Sequence, residues 1–185
     1  MDAQQAGERI ERELLILTRH REMASPRRLG SAEALDRSAY VLLSRFEAQG
    51  PMSVTELVDA FGLAASTFNR QTTALLREGL VERTLDPDGG VARKFRITQK
   101  GEERLRADRD KVVHGLSDVI ADWDPGRLDG FIADLQQFNE DIERLTGRPW
   151  PRSKDEAALP RDGLGHPEAP EEPRRRASPE NSPVS

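Results

Sequence analysis

The stretch from Ser53 to Thr98 constrains the fold more than any other part of this chain. It begins with two short segments of helical periodicity separated by Gly62, and it continues with two short alternating segments around the loop Asp86-Pro-Asp-Gly-Gly-Val-Ala92. Glycine readily adopts the positive φ at which a helix ends and the chain turns. Asp, Pro and Gly together are typical of a tight turn between strands. The order helix, turn, helix, ribbon predicts a winged helix-turn-helix unit.

The first helix of this unit carries its own start signal. Ser53 precedes Glu56 by three residues, the spacing at which two such side chains satisfy each other's backbone N–H groups. Apolar residues then recur at spacings of three and four, which predicts one buried face: Val54, Leu57, Val58 and Phe61. We expect Leu63 to fill the gap between the two helices.

The second helix has an apolar face and a polar face that lacks acidic groups before Glu78. The positions predicted to point inward are Ala65, Phe68, Thr72, Leu75 and Leu76. The opposite face carries hydroxyl, amide and guanidinium groups: Ser66, Thr67, Asn69, Arg70 and Thr73. Hydroxyls can donate to phosphates or base edges, Asn matches adenine, and Arg matches guanine. This face therefore suits the major groove of double-stranded DNA, although an ordinary solvated helix face is the alternative.

The ribbon is predicted from alternation. Phe95 and Ile97 are expected to point inward, and Lys94 and Arg96 to point to solvent. Cations close to a glycine-rich tip favour a wing that contacts phosphates, and a plain β-hairpin is the alternative. The candidate wing residues are Gly89, Gly90, Arg93, Lys94 and Arg96.

Formal charge is distributed unevenly. Residues 64–100 hold seven Lys or Arg against four Asp or Glu, whereas residues 101–145 hold six against twelve. The whole chain has a net charge of −5, so it is not a non-specific polycation. An acidic protein can bind DNA when its positive charge is concentrated where the phosphates lie. Because each neutralised phosphate releases counterions, we expect the affinity for DNA to fall steeply with salt.

Several functional classes receive no support from the composition. The chain has no cysteine, and its three histidines (His20, His114 and His166) are too far apart in sequence to form a metal-ligand cluster. No apolar run approaches about 18 residues, and the N-terminus lacks the apolar core of a secretory signal. There is no nucleophile–base pair and no phosphate-binding glycine loop. We therefore expect a cytoplasmic protein that is not an enzyme, needs no metal or cofactor and does not enter a membrane.

Helices flank the winged unit on both sides. A helix is predicted over residues 3–23, others begin at the caps Asp36 and Thr98, and the last begins at Asp124-Pro125. A small domain of about 60 residues can close its own core, so the first helix and the last two have apolar faces to spare. An isologous homodimer is the commonest way to bury such faces. Packing of all three on their own domain, as a monomer, is the alternative.

The composition changes at Thr146. Eight of the twelve prolines lie in the last 40 residues, which predicts a disordered tail. We expect Trp150, between Pro149 and Pro151, to hold the start of this tail against the domain. The predicted organisation is therefore an N-terminal dimerisation helix and loop (1–35), a winged helix-turn-helix domain (36–100), C-terminal dimerisation helices (101–145) and a proline-rich tail (146–185).

Taken in this order, the chain resembles the MarR (multiple antibiotic resistance regulator) family over about residues 5–145. The motifs that carry the resemblance are Tyr40-Val41-Leu42-Leu43, Gly50-Pro51, Val54-Thr55-Glu56-Leu57, Ser66-Thr67, Arg70, Gly79-Leu80-Val81-Glu82-Arg83, Asp86-Pro87, Ile97-Thr98 and Gly101. The resemblance implies a mainly α-helical fold with a small β-ribbon, in a homodimer of six-helix winged subunits. It also implies a transcriptional regulator, usually a repressor, that binds a pseudopalindromic promoter site. Many relatives release DNA when a small aromatic or phenolic effector enters a cleft between the dimerisation and DNA-binding parts.

Carried over by position, the resemblance places Ser66, Thr67, Asn69 and Arg70 in the major groove, with Thr73 at its edge. The wing at 86–93 would approach the minor groove. For the effector cleft, the first, second and fifth helices offer His20, Tyr40 and His114, and no ligand residue is assigned.

The chain departs from the family pattern at several positions. Ala64 and Ala65 stand where relatives often have Asp and Pro, and Ala74 stands where a second Arg is common. Gly89-Gly90-Val91 replaces the usual Asp-Arg-Arg of the wing, so the usual minor-groove arginine is missing. A winged-helix module that contacts protein instead of DNA is therefore the second hypothesis. Changing Arg70 to Ala separates the two.

Overall fold

A computed structural model describes residues 2–19, 34–85, 89 and 93–152. These residues form a mainly helical protein with one two-stranded antiparallel sheet. Its elements are α1 (Ala3–Arg19), α2 (Arg37–Gln49), α3 (Val54–Phe61), α4 (Ala65–Glu78), β1 (Val81–Thr84), β2 (Lys94–Ile97), α5 (Gln99–Ile120) and α6 (Pro125–Thr146). The predicted continuation of the first helix to residue 23 lies outside the described residues. Of the tail predicted to be disordered from residue 146 to 185, residues 153–185 also lie outside them, whereas Thr146 ends α6 and residues 147–152 are described.

The helix boundaries follow the local capping signals. Ser53 Oγ accepts from the Glu56 amide at 3.2 Å, and the Glu56 carboxylate accepts from the Ser53 amide at 2.6 Å. The predicted caps Asp36, Thr98 and Asp124 also accept from backbone amides in the first turns of their helices. Gly62 ends α3 with φ of 67°, a backbone conformation in the left-handed region that suits glycine. These predictions are confirmed.

The core lies between α2, α3, α4, the ribbon and the first half of α5. Its largest fully buried side chains include Leu42, Leu43, Phe46, Met52, Leu57, Phe68 and Leu105. Thr72 is buried as predicted, and its hydroxyl donates to the Phe68 carbonyl at 2.7 Å. Phe61 and Phe68 join α3 to α4 with ring centroids 5.6 Å apart.

Two side chains predicted to point into this core do not. Leu63 is 50% exposed, and Ala65 is also exposed. The left-handed Gly62 reverses the chain immediately before Leu63, so Leu63 lies on the outside of the turn. The Phe61–Phe68 contact joins the two helices where Leu63 was expected to do so.

The ribbon pairs Val81 with Ile97 and Thr84 with Lys94. Met52 extends the sheet by one bridge, exchanging two backbone hydrogen bonds with Phe95 at 3.0 and 2.7 Å. The prediction that Lys94 points to solvent is wrong, because Lys94 is only 8% exposed and its ammonium lies 3.0 Å from the Glu56 carboxylate. Alternation does place Lys94 on the opposite face from Phe95, but this end of that face is covered by the start of α3.

The outer helices leave their apolar faces uncovered. No described residue of α1 or α6 is buried, and the buried residues of α5 all lie in its first half. The large apolar side chains of these helices that remain exposed are Ile10, Leu14, Leu15, Ile16, Leu17, Val113, Leu116, Val119, Phe131, Ile132, Leu135, Ile142 and Leu145. None of the described helices is both long and apolar enough to cross a membrane.

A buried carboxylate fastens α5 to the segment before α2. Asp108 has no exposed surface, and it accepts from the Leu35 amide at 2.8 Å. Lys111 and Arg104 lie 3.1 and 3.6 Å from its two carboxylate oxygens. The start of α2 is thereby fixed to the middle of α5.

Candidate nucleic-acid interface

The polar face of α4 forms a single exposed stripe. Ser66, Asn69, Arg70 and Thr73 occupy positions i, i+3, i+4 and i+7, which share one side of a helix, and all four are exposed. Thr67, the fifth predicted residue, is half-buried at the edge of this stripe. The first turn of α4 contains no acidic residue. The stripe therefore presents hydrogen-bonding groups and one cation without nearby negative charge in that turn.

Two further exposed arginines lie outside the predicted set, one on α4 and one on the ribbon. Arg77 lies seven residues after Arg70, on the same side of α4, and is exposed. Arg83 is exposed on β1, opposite Phe95 in the ribbon. Within the described part of the chain, neither Arg70, Arg77 nor Arg83 has an acidic partner. The seven-residue spacing from Arg70 was enough to predict that Arg77 lies on the same face of α4. The position of Arg83 could not be predicted in this way, because it depends on the register of the ribbon.

The first turn of α4 lacks a side-chain cap. Ala64 occupies the cap position with φ of −63° and ψ of 143°, which is the extended geometry of an ordinary N-cap residue. Its methyl group cannot accept a hydrogen bond, so the side chain satisfies none of the first amides of α4.

The last turn of α4 is held by the start of α5. The Thr98 hydroxyl donates to the Gly79 carbonyl, and the Lys100 ammonium donates to the Glu78 carbonyl, each at 2.7 Å. Gly101 packs so closely on Leu80, the residue before β1, that an added Cβ would overlap the Leu80 carbonyl oxygen. The orientation of α4 is therefore linked directly to that of α5.

The candidate wing residues separate into different environments. Arg93 is exposed and has no acidic partner within the described residues. Arg96 is paired with Glu82 across the ribbon, so its charge is already partly neutralised. Gly89 has φ of 82°, and Gly90 with the rest of the wing tip lies outside the described residues.

Lys94 belongs to the interior side of the ribbon. Burial alone would raise the pKa of Glu56, but the Ser53 amide and hydroxyl and the Lys94 ammonium stabilise the carboxylate, and together they hold its pKa below the ordinary value. The Glu56–Lys94 ion pair therefore joins the cap of α3 to β2. In this arrangement Lys94 helps to position the ribbon and does not project beside its tip.

An open cleft of about 1090 Å³ lies behind the stripe, between the start of α2, α4 and α5. Its apolar lining includes Leu35, Leu75 and Leu80. Its charged lining consists of the cations Arg70, Arg77, Lys100 and Arg104 and the carboxylates of Asp36, Glu78 and Glu103. Neither Tyr40 nor His114 lines this cleft. The effector cleft expected between the first, second and fifth helices is a different one and stays a prediction. His20 lies outside the described residues. Among the described residues, no group of three or more His, Cys, Asp or Glu side chains is placed to hold a metal ion.

The comparisons with known proteins agree with this geometry. The family model described as "MarR family" matches residues 35–89. A relative in Bacillus subtilis (strain 168), the uncharacterized HTH-type transcriptional regulator YxaD, is 34% identical over 142 residues, which cover 76% of this chain and 97% of that protein.

Solved structures with the same fold include members of this family. A MarR family protein from Bacillus stearothermophilus has a TM-score of 0.66 at 20% identity, covering 77% of this chain and 98% of that one. Bordetella bronchiseptica BpsR, whose DNA binding is described as regulated by 6-hydroxynicotinic acid, has a TM-score of 0.53 at 17% identity, covering 68% and 90%. At these identities the structural likeness supports the winged-helix fold. The family match over the helix-turn-helix, together with a relative one-third identical along nearly its whole length, shows that this chain belongs to the MarR family.

Proposed function

We propose that this protein is a DNA-binding transcriptional regulator that acts as a homodimer on a pseudopalindromic promoter site, most simply as a repressor. The observation that carries the proposal is the exposed stripe on α4, in which Ser66, Asn69, Arg70 and Thr73 face the same direction. Arg70 is available for bidentate hydrogen bonds to guanine because it has no acidic partner in the described residues. Thr67 at the edge of the stripe would contact the phosphate backbone.

The dimer is supported by the uncovered apolar faces of α1, α5 and α6. A monomer rarely exposes so many large apolar side chains on contiguous helices. Joining two copies through these faces would present two α4 stripes to one duplex. Twofold symmetry in the protein would then match two half-sites separated by about one helical turn.

The wing contributes through Arg93. It is an exposed cation at the tip end of the described ribbon, whereas Lys94 is buried and Arg96 is paired with Glu82. Arg93 therefore replaces the missing minor-groove arginine of the tip, and the contact it makes is with phosphate or the groove edge. The pairing of Lys94 and Arg96 with glutamates is also what favours the second candidate, a winged-helix module that binds another protein.

The cleft behind α4 is the place for an effector. Arg70 belongs both to the stripe and to the cleft lining, beside Arg77. An aromatic carboxylate in the cleft would attract Arg70 away from DNA and lower the affinity for the operator. The regulation of BpsR by 6-hydroxynicotinic acid supports a ligand of this class. Release of bound duplex by benzoate or nicotinate, followed by fluorescence anisotropy, tests this part of the proposal.

Substitution of Arg70 tests the function itself. Arg106→Ala is the matched control, since it removes the same charge from an exposed position on α5 outside the stripe. Footprinting on the DNA upstream of the gene should reveal a protected region with two half-sites. On that duplex, Arg70→Ala should weaken binding by about 1–3 kcal/mol per subunit and relax the sequence preference at the contacted base pair, because a base contact in the groove is lost.

Arg106→Ala should bind like the wild type. If the wild-type protein does not bind duplex DNA even at low salt, the proposal of a DNA-binding regulator is refuted and the protein-binding module is favoured. Equal losses in the two variants would mean that overall charge, not the stripe, governs binding.

A further inference from the structure

The segment that follows α6 returns to the winged unit of the same chain. Gly147 ends α6 with φ of 67°, and residues 148–152, which we call the latch, lie against α2 and α3. The expectation that Trp150 holds the start of the tail against the domain is confirmed, since its ring meets Phe61 edge-on with centroids 6.2 Å apart.

The latch is built around a buried arginine. Arg45 is 6% exposed on a helix whose other buried residues are apolar. Its guanidinium donates to the Pro149 carbonyl at 3.0 Å and to Gln49 at 2.8 Å, and it stacks 5.1 Å from the centre of the Trp150 ring. Burial lowers the pKa of Arg45, and the Glu143 carboxylate opposes that shift. An arginine is buried in this way only when its donors are satisfied, and the latch supplies one of the acceptors.

Contacts continue from the latch to the helix-turn-helix itself. Trp150 contacts Phe61, and Phe61 contacts Phe68 of α4, which is the recognition helix of the proposed function. Three aromatic rings therefore connect the latch to this helix. The Arg148 guanidinium covers Gly62 at the turn between the two helices, so closely that a Cβ at that position would overlap it. At the other side of the latch, Arg152 forms two hydrogen bonds to the Glu143 carboxylate of α6, at 2.7 and 2.8 Å.

The hairpin of α5 and α6 is consequently fastened to the winged unit at both ends. Thr98 and Lys100 hold the start of α5 to the end of α4, and the latch holds the end of α6 to α2 and α3. The same hairpin carries the apolar faces that the proposed dimer would bury. The distance and angle between the two recognition helices of a dimer therefore depend on how firmly each hairpin is fixed to its own winged unit.

We propose that Trp150 is a positioning residue for DNA recognition: by closing the latch, it sets the placement of the two recognition helices for a site with two half-sites. This inference rests on the proposed function. A duplex with a single half-site engages one α4, whose own residues are unchanged when the latch opens. A duplex with two half-sites needs both α4 helices at a defined separation. In the closed state Trp150 is packed against Phe61, and the affinity for this duplex decreases as the fraction of protein in that state decreases.

The test compares four proteins on two duplexes by fluorescence anisotropy: the wild type, Trp150→Ala, Trp150→Phe and Trp123→Ala. Trp123 is a matched control because it also contacts a phenylalanine and an arginine, Phe131 at 5.3 Å and Arg127 at 4.1 Å, but at the turn between α5 and α6. Loss of the aromatic and cation–π contacts should lower the affinity of Trp150→Ala for the two-half-site duplex by about tenfold. Its affinity for the single-half-site duplex should not change.

Trp150→Phe should recover most of the lost affinity, since phenylalanine keeps a ring against Phe61 and Arg45. Trp123→Ala should retain the wild-type preference for two half-sites. Native mass and thermal unfolding of each variant, measured in parallel, identify any loss due to misfolding.

A readout without DNA follows the latch directly. The chain has two tryptophans, so Trp123→Phe leaves Trp150 as the single emitting tryptophan. Adding Arg45→Ala should shift its emission to the red, because the stacked guanidinium and the buried surroundings are lost. Emission already typical of a solvated indole before Arg45 is changed would overturn the inference.

The outcomes for the latch and for the regulator are distinguishable. Trp150→Ala with unchanged two-half-site binding, or with equal losses on both duplexes, would refute the positioning role while leaving DNA binding intact. Failure of the wild type to bind either duplex would refute the proposed function, and with it the positioning role of Trp150.

Discussion

Replacement of the buried Asp108 by alanine should destabilise the protein chiefly through one backbone amide. The carboxylate accepts from the Leu35 N–H at 2.8 Å, and Leu35 is only 4% exposed, so water cannot readily take the place of the lost acceptor. An unsatisfied buried N–H costs about 1–3 kcal/mol. The two cations beside Asp108 contribute less. The Lys111 side chain is 35% exposed and can be hydrated, which limits its ion pair to about 1 kcal/mol, and the buried Arg104 Nε lies 3.6 Å from the carboxylate, beyond hydrogen-bond distance.

Together these terms predict a loss of about 2–4 kcal/mol for Asp108→Ala. Asp108→Asn keeps an oxygen for the Leu35 amide and loses only the charge, so its cost should be nearer to about 1 kcal/mol. Asp110→Ala removes an exposed carboxylate from the same helix and should change stability by less than about 0.5 kcal/mol.

Urea unfolding followed by circular dichroism measures these differences. One fixed protein concentration is used, because the proposed dimer would unfold in a concentration-dependent manner. Equal destabilisation by Asp108→Asn and Asp108→Ala would refute the reasoning, since it would assign the effect to charge. A loss in Lys111→Ala as large as that in Asp108→Ala would do the same.

Three further predictions concern a glycine contact, a helix cap and acid. Gly101→Ala should destabilise the protein by about 1–3 kcal/mol in thermal melts, because the added Cβ would overlap a backbone carbonyl oxygen. In the control Gly130→Ala the added Cβ meets nothing within 4 Å, so this change should stabilise the protein by up to about 1 kcal/mol. Ala64→Ser should raise the melting temperature through about 1 kcal/mol of added capping, and an unchanged melt would show that the cap geometry is wrong. Hydrogen bonds from Arg152, opposed by burial, keep the pKa of Glu143 below its ordinary value of about 4.3. The Glu143 carboxylate therefore stabilises the latch fully above about pH 4.3, and this stabilisation is lost as the pH falls through the lowered pKa. Emission of Trp150 in the single-tryptophan protein should therefore move to the red only in acid below about pH 4.3, and a transition near neutral pH would contradict this assignment.

Local signals in the sequence were sufficient for the helix ends and for the stripe. Capping by Ser53, Asp36, Thr98 and Asp124 involves groups two or three residues away, so residue type and spacing alone predict it. The α4 stripe follows from helical periodicity for the same reason. Its role in DNA recognition stays a prediction, as do the domain boundaries.

Apart from Leu63 and Ala65, which were misplaced beside the turn at Gly62, the prediction failed where the relevant neighbour is distant in sequence. Alternation assigned Lys94 to the correct face of the ribbon, but Glu56, which covers that face, lies 38 residues earlier. The roles of Asp108 and Arg45 could not be predicted because their partners Leu35 and Pro149 are 73 and 104 residues away. The position of Arg45 beside Phe46 in the apolar part of α2 was the available signal for a buried cation, and a tryptophan between two prolines was the signal for its partner.

The uncapped first turn of α4 has a consequence for how the protein meets its target. Thr98 and Lys100 satisfy carbonyls at the far end of this helix, whereas at the near end the Ala64 side chain satisfies no amide and only its carbonyl accepts, from the Thr67 amide at 2.9 Å. A phosphate oxygen of the operator is a suitable acceptor for the other leading amides, since the positive end of a helix attracts anions. Duplex DNA would then serve as the missing cap, so that part of the free energy of forming the recognition helix is gained only in the complex. The first turn of α4 would then be fully hydrogen-bonded only when the protein is bound to DNA.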